Sequence, residues 1–182
     1  MLATLAGDLT ISDTTAKKLL ADLPADLDPE RRAVVETACR LVGKVNYFWG
    51  GKSLVIGWDS RWGQLTKVWA DSNSTTDTYR PYGLDCSGFV DWVFYNVTDG
   101  EYVIGHGGGV HMQHTYCTPI SWNEAQPGDL VFFVGTYDTA GVSHCGIYVG
   151  DGMMIHCGDP IQYANLNTSY WQSHFYAYGR LP

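Results

Sequence analysis

The chain has 182 residues with a formal charge of −8, 45% hydrophobic and 16% charged residues, room for one domain with a full core and a small appendage. This composition excludes a disordered chain, and the negative balance argues against nucleic acid or anionic lipid as a partner. No apolar run approaches the ~18 residues of a membrane span. The N-terminus, MLATLAGDLTISDTT, lacks the basic-then-apolar order of a signal peptide, although a secreted domain separated from its leader fits the same features. Five cysteines without regular spacing leave at least one unpaired and do not describe a disulfide scaffold.

TTAKKLLAD (14–22) predicts a short helix ended by Pro24. Asp28-Pro29 opens a stronger one, with Asp28 as N-cap, Pro29 at N1, Val34, Val35, Ala38, Leu41 and Val42 on one face, and Gly43 as C-cap. Cys39 falls among these core positions. VNYFWGGKS (45–53) reads as a strand ending in a tight turn, the double glycine marking a close backbone approach. Residues 53–57 and 66–70 read as short strands, and SNSTTDT (72–78) as a solvated loop. Trp58, Trp62 and Trp69 either pack this stretch onto the body or line a groove.

YGLDCSGFVDWVFYN (82–96) organises the rest. After Cys86 the apolar residues Phe89, Val90, Val93, Phe94 and Val97 mark one helical face, and Asp85 is the expected N-cap. Cys86 then sits in the first turn, where free amide N–H groups and the helix dipole favour a thiolate. Asp85 opposes this, because a neighbouring carboxylate disfavours a second negative charge; a nearby histidinium would restore it. The bland alternative is a buried structural cysteine.

Residues 100–109 are glycine-rich and carry His106, with His111 and His114 beyond. The i, i+3 spacing of HMQH suits a metal on a helix, but no third ligand matches and the glycines argue against a rigid helix. From Pro127 the pattern turns to β: 129–135, 142–150, 152–157 and 175–181 are strand candidates, with Gly150-Asp151-Gly152 as a hairpin turn. His144 and His156 then lie on adjacent antiparallel strands. Because strand side chains alternate, Cys145 and Cys157 point away from those histidines as small core residues, which disfavours a two-Cys, two-His zinc site.

Tyr47-Phe48-Trp49-Gly50-Gly51, Asp85-Cys86-Ser87-Gly88-Phe89-Val90, Gln126-Pro127-Gly128-Asp129-Leu130-Val131-Phe132-Phe133, and His144-Cys145-Gly146-Ile147-Tyr148-Val149-Gly150 with Met154-Ile155-His156 together resemble the NlpC family of bacterial cell-wall cysteine peptidases. The resemblance spans about residues 30–180. Two departures stand out: a longer 52–84 segment, and cysteines at 145 and 157 in place of small or aliphatic residues. The resemblance implies an α+β, papain-like compact fold, with N-terminal helices and the nucleophile helix packed on a central antiparallel sheet. It implies a catalytic domain at 28–182 with an insertion at 52–84, preceded by a helical extension at 1–27. Carried onto this chain, it makes Cys86 the nucleophile, His144 the general base and His156 the group that orients it. Tyr47 and the Cys86 N–H face the reacting carbonyl. Asp85 and Ser87 line the pocket for the peptide's N-terminal side, with Asp85 available to a free amine. The implied substrate is a peptidoglycan stem peptide, cut at the γ-linked bond between D-glutamate and the third residue, without metal or organic cofactor. The implied location is extracellular or wall-associated, as part of a longer exported protein or a phage or mobile-element enzyme. A Cys-His amidase or acyltransferase, and a non-catalytic wall-binding module, are the rival readings; oligomeric state is not legible.

Overall fold

The computed structural model describes residues 9–102 and 109–182; His106 and its flanking glycines at 103–108 lie outside them. Asp13 caps α1 (Thr14–Ala21), accepting the Ala16 N–H at 2.6 Å. Asp28 caps α2 (Pro29–Cys39) through the Glu30 N–H at 2.9 Å, and Pro29 costs nothing at a position whose N–H has no helical partner. This helix ends at Arg40, short of the expected Gly43. Gly43, at φ +77°, instead turns the chain and donates its N–H to the Ile161 carbonyl at 2.8 Å.

The segment at 45–51 forms no strand beyond a single bridge between Tyr47 and Leu84. Its double glycine does serve a close approach: a side chain on Gly51 would strike the Gly83 carbonyl, and one on Gly88 the Gly51 carbonyl. Backbone thus lies directly on backbone where the chain enters the central helix. The expected strand at 53–57 is absent. Asn96 takes the place of a strand partner, accepting from the Gly57 N–H at 2.7 Å and donating to the Val55 carbonyl at 3.1 Å. Beyond it β1 (Leu65–Lys67) pairs antiparallel with β2 (Tyr79–Pro81) as a separate hairpin, so the second expected strand is shorter and earlier than 66–70.

The central helix α3 (Cys86–Val97) buries its whole first two turns, Cys86 through Val93. A helix α4 (Gly109–Tyr116) follows where the glycines had argued against one. It starts at the last glycine of the run and buries Val110 and Gln113. The remaining elements are β3 (Thr118–Ile120), β4 (Leu130–Val134), β5 (Val142–Gly150), β6 (Met153–Cys157), β7 (Ile161–Asn165), α5 (Ser169–His174) and β8 (Phe175–Arg180). Six strands form one antiparallel sheet in the order β3-β8-β4-β5-β6-β7. Asp151 and Gly152, both at positive φ, make the β5–β6 turn.

Both sheet faces are covered. Leu130, Phe132, Cys145, Ile147, Ile155 and Cys157 face the helices, where they join Val34, Val35, Ala38, Phe89, Val90 and Trp92 in the main core. Val131, Phe133 and Met154 point the other way and form a smaller cluster with Leu166 and Trp171. Each such large apolar side chain contributes about 1.5–3 kcal/mol on burial, so the sheet is fixed in register against the helix that carries Cys86. At one corner the buried Asp129 carboxylate receives Arg31 at 2.9 Å, Arg180 at 2.8 Å through each of two nitrogens, and the Gln126 N–H at 2.8 Å.

Candidate active site

Asp85 caps α3 with its carboxylate on the Gly88 N–H at 2.7 Å, which places Cys86 at the helix start, 9% exposed. The thiol forms part of the floor of a cleft of about 440 Å³ lined also by Tyr47, Asp85, Ser87, His144 and His156. The six residues singled out in the sequence therefore meet at one place.

His144 and His156 come from neighbouring strands, but they are not directly opposite. His156 pairs with Gly146, and His144 stands diagonally two residues away. Gly146 allows this: a Cβ there would press on the Met154 sulfur at 2.6 Å and the His156 Cβ at 3.2 Å. The resulting contact joins His144 Nε2 to His156 Nδ1 at 3.0 Å. Trp171 closes the far side, stacked on His144 at 5.6 Å between centroids and edge-on to His156 at 5.0 Å. Burial and the neighbouring His144 push His156 down to about 3, so it is neutral at physiological pH.

The Cys86 thiol is held well below the usual thiol range. A hydrogen bond from the Cys145 thiol is the foremost cause; burial opposes it, and a hydrogen bond and charge from His144, with the charge of Lys52, add to the lowering. Cys145 is correspondingly pushed up. Cys145 is buried on β5 in the main core, as expected, and donates to the Gln113 side-chain oxygen at 3.4 Å. Cys157 is core as well, with its sulfur on the Leu84 carbonyl at 3.0 Å.

Burial and the nearby Cys86 and Asp85 push the Tyr47 phenol upward, which keeps it protonated and able to donate. The Asp85 carboxylate is already engaged by an amine, that of Lys52, at 2.7 and 3.0 Å, and the same ammonium reaches Ser87 Oγ at 2.6 Å. Lys52, Cys145 and Trp171 were not singled out as site residues by the sequence reading.

Trp62 packs edge-on against Trp58 and Trp92, and Trp69 stacks on Tyr82. The tryptophans at the cleft are Trp49 and Trp171. Trp49 donates its indole N–H to the Asp71 carbonyl at 2.8 Å and meets Tyr137 edge-on, so the tip of the 52–84 segment reaches the rim, where Asn73 lines the cleft. Among the described residues no three His, Cys, Asp or Glu converge as a metal site. His114 packs against Phe132 and Tyr176.

A cysteine at a helix start and two histidines of an antiparallel sheet thus meet in one cleft of an α+β fold. The model of the NlpC/P60 family matches residues 43–180, and the chain belongs to that family. It is 40% identical over 115 residues to the bifunctional muramidase/DL-endopeptidase CwlT of Bacillus subtilis, covering 63% of this chain and 32% of CwlT. It is 39% identical over 102 residues to the probable endopeptidase p60 of Listeria seeligeri, covering 56% of this chain and 18% of p60. The chain thus spans a third or less of the length of these curated relatives. Among solved structures, the peptidoglycan hydrolase RipB of Mycobacterium tuberculosis superposes with a TM-score of 0.58 at 24% identity, over 99% of this chain and 76% of RipB. RipD of the same organism, described as a non-catalytic peptidoglycan-binding domain, superposes at 0.55 with 17% identity, over 85% of this chain and 99% of RipD. These two likenesses speak to the fold.

Proposed function

We propose that this chain is a cysteine endopeptidase that hydrolyses peptidoglycan stem peptides, at the γ-D-glutamyl bond to the diamino acid in the third position. The observation that carries the proposal is the meeting of Cys86, His144 and His156 in one open cleft, with His144 Nε2 3.0 Å from His156 Nδ1. His144 takes the thiol proton, and the Cys86 thiolate attacks the scissile carbonyl. The Cys86 N–H at the helix start and the protonated Tyr47 phenol stabilise the oxyanion. His144 then returns its proton to the leaving amine, which leaves a thioester that water hydrolyses with His144 again as base. Neutral His156 accepts the proton on His144 Nε2, which leaves Nδ1 for the thiol and steadies the imidazolium. Residues 28–182 form the catalytic unit, with 52–84 as an insertion and 1–27 as an extension, and it works outside the cell or at the wall.

The test is digestion of purified peptidoglycan and of synthetic stem peptides, with fragments assigned by mass. New amino termini at the diamino acid support the proposal. Release of intact stem peptides from sugar would assign an amidase instead, and no release with retained wall binding would assign a binding module.

A further inference from the structure

The cap that builds this site also works against it. Asp85 fixes the start of α3, a contribution of about 1 kcal/mol in comparable helices, yet it sets a carboxylate one residue before the thiol. From its own helix Cys86 also faces Asp91, and from elsewhere Tyr47, Tyr137 of the β4–β5 connection and Cys157 of β6. Against these acidic groups stand His144 and the Cys145 thiol of β5, and Lys52.

Lys52 is held unusually firmly for a lysine. All three of its ammonium hydrogens have acceptors: both Asp85 oxygens and Ser87 Oγ. Its backbone is pinned as well, because the Tyr82 hydroxyl donates to the Lys52 carbonyl at 2.7 Å and accepts its N–H at 3.2 Å. The preceding Gly51 is pressed against the chain entering α3. The side chain is 31% exposed and that of Asp85 15%, so solvent screens the pair only in part. Lys52 is not among the residues lining the cleft.

We infer that Lys52 is a positioning residue for the nucleophile: by neutralising Asp85 it lets a carboxylate cap and a thiolate occupy adjacent positions. This rests on Cys86 being the nucleophile, and it gives the first residue of the 52–84 segment a part in the chemistry. Loss of the ammonium leaves Asp85 uncompensated beside the sulfur, and the thiol then holds its proton to higher pH.

The experiment measures the rate of iodoacetamide alkylation at Cys86, resolved by peptide mass, between about pH 4 and 9, with folding checked by circular dichroism. The variants are Lys52→Gln, Lys52→Arg, Asp85→Asn and the Lys52→Gln/Asp85→Asn pair. Lys52→Gln should raise the alkylation midpoint by about one pH unit, slowing modification about tenfold below the midpoint. Lys52→Arg should stay near the parent, Asp85→Asn should fall below it, and the double variant should return toward it. A folded Lys52→Gln protein with the parent midpoint would overturn the inference, since a purely structural ion pair changes stability and not the thiol titration. Should Lys52→Gln fail to fold, Asp85→Asn and the double variant carry the test, and equal midpoints in those two would overturn it. The readout is titration and not turnover, so it is separate from the test of Cys86 as nucleophile.

Discussion

His144 Nε2 lies 3.0 Å from His156 Nδ1, and burial beside His144 keeps His156 neutral. In the proposed mechanism His156 serves as acceptor, a role that an amide oxygen can fill. His156→Asn and His156→Gln should therefore keep much of the hydrolytic rate. His156→Ala should lose one to two powers of ten, on the scale of losses from removing a ligand's orienting partner. Steady-state turnover of a synthetic stem peptide checks both, and an alanine variant as fast as the parent would remove His156 from the mechanism.

Cys86→Ala and Cys86→Ser should abolish hydrolysis with little change in thermal midpoint, because each alters only the sulfur atom of a residue that lines the cleft. Alanine at Cys39, Cys117 or Cys157 should cost stability only. Cys145→Ala should differ from these three, since the Cys145 thiol is the foremost cause holding Cys86 low. Its alkylation midpoint should rise and its neutral-pH rate should fall. Stopped assays paired with thermal melts separate the two kinds of loss.

The tip at 71–78 touches the cleft through Asn73 and through the Asp71 carbonyl held by Trp49. Trimming it should leave the fold intact, as exposed loops tolerate length change. The ratio of turnover on a short stem peptide to that on a cross-linked one should change, with Cys86 alkylation preserved. An unchanged ratio would make the tip solvent-exposed filler.

Asp91 is buried in α3, and burial pushes its carboxyl up to about 7 despite the hydrogen bond from Gln113. The folded protein then binds a proton that the unfolded chain, at about 3.9, has released. The contribution of this group to stability therefore falls as pH rises from about 4 through 7. Asp91→Asn keeps the acceptor for Gln113 and removes the titration. It should flatten that decline and raise stability near pH 8 by something on the order of 1 kcal/mol, as read from urea unfolding at several pH values.

What the sequence disclosed was what carried a period or a local motif. Phe89, Val90 and Val93 marked α3, and apolar runs bounded by turn residues in 129–135 and 142–150 marked the central strands. β7 has only Ile161 fully buried, β3 contains Pro119 at a sheet edge, and α5 buries none of its residues. None of these presents a repeating apolar face, so none was legible. At the site, Cys86, His144 and His156 sat in recognisable neighbourhoods. Lys52 meets Asp85 across 33 positions of sequence, and Trp171 arrives on the short helix that has no pattern. Cys145 was read as a small core residue and lies in the main core, but strand alternation gave no sign of its bond to Gln113, 32 positions away.

The Asp129 corner joins two stretches that lie far apart in sequence. Arg31, near the start of α2, and Arg180, at the end of β8, grip the same carboxylate. The clasp staples the first turn of a helix to the last residue of β8, which is itself held between β3 and β4. Loss of the Asp129 carboxylate would leave both guanidinium groups without it at once, so the helix layer and the sheet would loosen together.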